Sequence, residues 1–191
     1  MSIDSLETLV VEQLKDLYDA EKRLTKALPK LAKKATSDEL KQAIEEHLAE
    51  TEAQVGRLEE CFEAFDAPAR GKPCAGMMGI IEEANEHVGE DYEDDGLRDA
   101  VIIGSAQRSE HYEIAAYGTV IAHARLLGRD EVVTLLEATL DEEKAADEKL
   151  TQLAEGLVNP DAASSDSQPS RQAGGGAKSN RKGNGRAATR R

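Results

Sequence analysis

Carboxylates placed where a helix should bury apolar side chains are the residues of this sequence best suited to chemistry. In QRSEHYEIAAYGT, residues 107–119, Glu110 and Glu113 share a helix face with Ala106, Tyr117 and Ala124. The pattern recurs in three other segments. Glu21 lies within the stripe of Leu14, Leu17 and Leu28. Glu143 and Asp147 occupy seam positions of a heptad running Leu136, Leu140, Glu143, Asp147, Leu150, Ala154 and Leu157. His47 and Gln54 are central to a further stripe, with Glu50 at its edge beside both. An ionised carboxylate buried without a partner costs several kcal/mol, and no Lys or Arg falls on the inner faces at that depth. Divalent cations would supply the missing charge. Oxygen ligands with an imidazole suit iron or manganese, and two such ions would explain carboxylates arriving from every segment. Tyr18 and Tyr117, a turn or two from an inward glutamate, are candidates to hydrogen-bond ligands or to sit near a redox centre; core packing is their plainer role. Of the other histidines, His87 and His111 point away from the seam and His123 sits near its edge, so all three read as structural.

These residues need long helices to position them. Leu6, Leu9, Val10, Leu14, Leu17, Leu24, Leu28 and Leu31 set helical spacing over roughly Ser5–Ala35, with Pro29 expected to kink the helix or mark a weak turn. Ser37-Asp38 reads as the N-cap of a second helix, about Asp38–Phe65. A third is predicted from about Gly96 to Leu127, stopping at Gly128, and a fourth over about Asp130–Leu157, ending before Asn159-Pro160. The connections within each pair, Thr36-Ser37 and Gly128-Arg129, are so short that paired helices must be antiparallel. About 29 residues separate the pairs, and Met77–Val88 (MMGIIEEANEHV) within them should form a short helix. Hairpin, long crossover, hairpin is the connectivity of an all-α, ferritin-like four-helix bundle. Depth agrees: Glu21, Glu50, Glu113 and Glu143 each lie about 15 residues from a hairpin turn, or ~20–23 Å along the axis. They should meet in one mid-height layer.

Charge divides the chain of 191 residues sharply. Residues 1–159 hold seventeen basic and thirty-six acidic side chains, whereas residues 160–191 hold seven basic (Arg171, Lys178, Arg181, Lys182, Arg186, Arg190, Arg191) and two acidic ones. Periodicity ends there, and SSDSQPSRQAGGGAKSNRKGNGRAATRR is expected to be a disordered tail. Its cations, without aromatics, suit nonspecific DNA contact, against the simpler role of a solvated tail beside an acidic body. No apolar run approaches the ~18–20 residues that span a membrane, and Met1–Thr8 lacks a cationic start with an apolar core. The expectation is a cytoplasmic protein, with Cys61 and Cys74 as free thiols.

LYDAEKRLTKALPKLAKKA, HLAETEAQVGRLE, GLRDAVIIGSAQRSEHYEIAAYGT and LDEEKAADEKL together resemble the YciF-like family of bacterial ferritin-like proteins, over about residues 3–158. The resemblance implies a fold similar to rubrerythrins and ferritins, a homodimer, and a place in stress responses. Ferritin-like di-iron proteins carry Glu on one helix and Glu-x-x-His on the next, repeated. That pattern matches Glu21 and either Glu110 or Glu113. The second helix departs, because Ala53 follows Glu50 at the third position and His47 precedes it. The fourth also departs, because Ala146 follows Glu143, with Asp147 as the substitute ligand. The implied site is histidine-poor, and such hard, oxygen-rich sites accept manganese as well as iron. The leading expectation is a carboxylate-bridged dimetal site, bridged by Glu50 and Glu143, with Glu21, Glu110, Glu113, His47 and Asp147 as terminal or alternate ligands. Its chemistry would be oxidation of ferrous iron or reduction of oxygen or peroxide. The competing expectation is a non-catalytic helical dimer, protective or scaffolding in stress, with the acidic layer partly protonated or hydrated.

Overall fold

The computed structural model describes residues 3–165. Five helices lead, α1 (Leu6–Ala32), α2 (Asp38–Ala64), α3 (Ala75–Val88), α4 (Asp95–Leu126) and α5 (Asp130–Leu153), followed by a π turn (Ala154–Val158) and α6 (Asn159–Ser165). The long helices α1, α2, α4 and α5 form the bundle, as antiparallel hairpins α1–α2 and α4–α5. The crossover lays α3 against α4 and α1. The fold expected from hydrophobic periodicity is the fold found.

Caps set most helix starts. Ser5 Oγ accepts from Thr8 N, Ser37 Oγ from Leu40 N, and the Asp94 carboxylate from Gly96 N and Leu97 N. Gly128, at φ +67°, makes the left-handed turn between α4 and α5. Helix α1 runs through Pro29 and stops one turn later, so the break falls beyond the proline. The crossover is tied to α1 by Lys72 N donating to Lys15 O and Cys74 N donating to Asp19 Oδ2. Both cysteines are free and buried.

The C-terminal end differs from expectation. Helical structure continues through Pro160 to Ser165, because the π turn, with Asn159 N–H bonded to Ala154 O, precedes α6 and puts Pro160 in the first turn of that helix. A proline's missing N–H costs little there. Ala162 then packs so closely on α4 that a Cβ at Gly96 would lie 2.9 Å from its backbone nitrogen. The tail cations Arg171, Lys178, Arg181, Lys182, Arg186, Arg190 and Arg191, and the disorder expected of them, lie outside the described residues. Among the described residues no helix is long and apolar enough to cross a membrane.

The α1–α2 turn is held by one buried acid from the other hairpin. Asp99 on α4 accepts from Thr36 N at 2.9 Å, Thr36 Oγ1 at 2.7 Å and Ser37 N at 2.7 Å. Asp99→Ala would orphan these donors, and the expected loss is about 3 kcal/mol. Thermal unfolding should show it as a drop of roughly 6–12 °C; an unchanged melting temperature would remove Asp99 from this role.

The core is split in two. One apolar cluster gathers Val10, Leu14, Leu17, Phe62, Val120 and Leu136 towards the α4–α5 turn. The other gathers Leu24, Leu28, Leu40, Ile44, Ile102 and Leu150 towards the α1–α2 turn. Each fully buried aliphatic side chain contributes roughly 2 kcal/mol. Between the two clusters, at mid-height, lies a polar layer containing Glu21, His47, Gln54, Glu110, Glu113 and Glu143, all buried.

Candidate metal centre

Four glutamates and a histidine converge here because each long helix turns at least one inner-face position polar at the same height. Glu21 comes from α1, His47 from α2, Glu110 and Glu113 from α4, and Glu143 from α5. Ligand atoms of His47, Glu110 and Glu143 lie within 4.8 Å of one another. His47 Nε2 stands 3.4 Å from Glu110 Oε2 and 3.8 Å from Glu143 Oε2. Glu113 adjoins Glu21, close enough to share a proton with it.

Neighbouring polar groups orient these carboxylates. The Tyr117 hydroxyl donates to Glu21 Oε1, and Gln54 Nε2 donates to Glu143 Oε1 and to Glu142 Oε2. Arg57 in turn clamps Glu142 through both terminal guanidinium nitrogens, at 2.9 and 2.6 Å, and donates to Thr139 Oγ1. Glu142, Arg57 and Thr139 escaped the sequence reading. The available signal was position alone: Arg57 is one turn beyond Gln54, and Glu142 adjoins Glu143.

Three expected members are elsewhere. Glu50 is not among the buried carboxylates; its side chain is 46% exposed and its Oε2 faces His47 Nδ1 at 3.3 Å, on the solvent side of the ring. Asp147 lies in the α4–α5 seam, accepting from Gln107 Nε2 and facing the exposed His111. The Tyr18 hydroxyl leaves the core to donate to Glu59 Oε1 at 2.6 Å. His111 is exposed, as expected, and His123 pairs with Gln13.

The electrostatics show what the cluster lacks. Glu21 Oε2, Glu110 Oε2, Glu143 Oε2 and both Glu113 oxygens are buried without a hydrogen-bond donor. Among the described residues His47 is the only basic side chain paired with any of the four. Burial, then the charge of Glu143, pushes the Glu21 carboxyl up to about 8. Glu113 rises well above the usual carboxylate range through burial and then Glu21, and Glu110 through burial and then Glu143. Burial, followed by Glu21, also raises the Tyr117 phenol. On His47, burial opposes the proton, but the Glu50 hydrogen bond and the charges of Glu143 and Glu21 outweigh it, so its pKa is raised. Five orphaned carboxylate oxygens beside one imidazole fit a divalent cation: hard oxygen donors with a nitrogen of intermediate softness.

Fold and site together define a ferritin-like four-helix bundle with a carboxylate layer able to hold metal. Residues 5–163 match the family model described as a domain of unknown function, DUF892, and the chain belongs to that family. It is 44% identical over 160 residues to Protein YciF of Escherichia coli (strain K12), covering 83% of this chain and 96% of that protein. The crystal structure of the E. coli stress protein YciF aligns with a TM-score of 0.78 over 82% of this chain and 99% of that one, at 44% identity. YcfI from Rhodopseudomonas palustris aligns with a TM-score of 0.76, also at 44% identity, over 78% of this chain and 95% of that one.

Proposed function

We propose that this chain is a cytoplasmic, homodimeric stress-response protein whose buried layer holds two divalent metal ions, iron first and manganese second. The observation that carries the reading is the set of five donorless carboxylate oxygens between two apolar cores. Glu21, Glu110, Glu113, Glu143 and His47 are the residues that would bind. Tyr117 and Gln54 hold Glu21 and Glu143 in orientation, and the apolar clusters above and below exclude water. A metal pair bound there would supply redox chemistry on ferrous iron, oxygen or peroxide. The family relationship supports the role in stress, since the E. coli relative is a stress protein.

A second reading has its own support. Glu21 and Glu113 adjoin closely enough to share a proton, so protons alone could neutralise part of the layer and leave a non-catalytic scaffold. Metal analysis of freshly purified protein, anaerobic titration with ferrous and manganous ions, and oxidation of ferrous iron under air separate the two. The metal reading expects about two equivalents bound, and Gln54→Leu weakening affinity roughly 10–100-fold by releasing Glu143. No uptake of either ion, with melting indifferent to EDTA, would leave the scaffold.

A further inference from the structure

A cleft between α2 and α5 reaches the cluster from solvent. Its cavity is about 90 Å3, with Glu46, Glu50 and Lys149 at the outer end and His47 and Glu110 at the inner end. That is well above the ~15 Å3 needed by one water. Its walls carry Ala43, Ala145 and Ala146, side chains too short to close the seam. Exposure falls steadily inward: Lys149 48% and Glu50 46%, then His47 8% and Glu110 2%. His47 joins the two ends, with Nδ1 towards Glu50 and Nε2 towards Glu110. Glu110 lines the inner end of this cleft, and its Oε2, buried and without a hydrogen bond, lies 3.4 Å from His47 Nε2.

We infer that this cleft is the route by which divalent cations reach the buried layer, with Glu50 receiving the ion and Lys149 restraining it. The inference rests on the metal reading above. Glu50 is a half-exposed carboxylate at the mouth, its Oε2 3.3 Å from His47 Nδ1. It can replace waters of a hydrated ion before the ion meets the interior. Lys149 bonds Glu46 across the opening. It neutralises that second acid and sets a positive charge against any incoming cation. The pair is exposed, so its own strength is small and it opens readily. A residue that serves only passage changes uptake and release by the same factor, leaving the equilibrium constant where it was.

Stopped-flow mixing of the full-length apoprotein with Co2+, the free ion reported by a fluorescent chelator, reads this directly alongside Kd from equilibrium dialysis. Glu50→Gln should slow association and dissociation together, by about tenfold, with Kd changed less than about threefold. Lys149→Met, which keeps the aliphatic stem, should speed both several-fold. Glu60→Gln, an exposed charge roughly 15 Å further along α2, should leave both rates alone. Unchanged rates in the first two variants, or a Glu60→Gln effect equal to that of Glu50→Gln, would overturn the route. So would a Glu50→Gln loss of affinity at an unchanged association rate, which would make Glu50 a ligand. A wild-type protein that takes up no ion at all would overturn the metal reading itself, and the route with it.

Discussion

Glu113→Leu should raise the melting temperature of the metal-free chain while abolishing its response to divalent cations. Both effects come from one side chain. Glu113 is fully buried and neither of its oxygens meets a donor. Burial and the neighbouring Glu21 and Glu143 keep its carboxyl far above its ordinary range. Without metal, the group must hold a proton or bear an uncompensated charge, and each option destabilises the fold. Leucine is of similar size and suits a layer lying between two apolar clusters, and replacing buried ionic groups in this way often stabilises by 1–4 kcal/mol, or roughly 2–16 °C for a chain of this length. In the wild type, a cation at a thousandfold excess over its Kd should add about 4 kcal/mol, which the variant forgoes. Calorimetry of both proteins, with EDTA and with saturating Mn2+, gives the four melting temperatures. The mutation and the metal should each raise the wild-type value, and their effects should not combine. A Glu113→Leu protein that melts below the wild type in EDTA and still gains from Mn2+ would contradict the assignment.

The inward acids were legible because helix geometry is rigid over the distances involved. Glu21 among Leu14, Leu17 and Leu28, and Glu110 with Glu113 beside Tyr117, are positions that 100° per residue and 1.5 Å of rise suffice to place. Where the reading missed, a softer variable decided. Asp147 follows Glu143 by one turn, and a heptad template drifts by about 20° per repeat against a straight helix; that rotation carries it to the α4–α5 seam. Glu50 sits at the stripe's edge, where a small turn of α2 about its axis chooses between core and solvent. For Tyr18 the ring was placed correctly. It packs edge-on against Phe62 in the core, with centroids 5.7 Å apart, but its long side chain lets the hydroxyl leave for Glu59. Arg57 and Glu142 pair across helices through flexible side chains, which periodicity does not constrain. Pro160 read as a stop, yet a π turn before it left the chain free to continue.

Stability of the metal-free chain should fall as pH rises from about 5 to about 8, the opposite of the usual trend for paired surface carboxylates. The unfolded chain releases the glutamate protons near the ordinary value of 4.5, whereas the folded chain holds the one on Glu21 until about 8. Glu110 and Glu113 are displaced in the same direction, by burial first and by neighbouring acids second. Between those limits the folded state binds more protons than the unfolded one, so each increment of pH favours unfolding. Below the unfolded pKa the contribution is fully retained, and it is lost as pH passes the folded values. His47 adds the same sign, because its folded pKa is also raised. With about 1.4 kcal/mol for each pH unit of displacement, several kcal/mol are at stake across the window. At the acid end the trend reverses, since Glu50, with its pKa lowered by His47, loses that interaction as pH falls through its own titration. The maximum should therefore lie at or just below the ordinary glutamate value of 4.5. Bound metal requires the deprotonated carboxylates and so binds more tightly as pH increases. The gap between Mn2+-loaded and EDTA-treated protein should widen steadily from pH 5 to 8. Urea unfolding at closely spaced pH values, with and without the ion, measures both curves. A metal-free curve that climbs between pH 5 and 8 would mean that Glu21, Glu110 and Glu113 are already ionised and compensated by something other than protons.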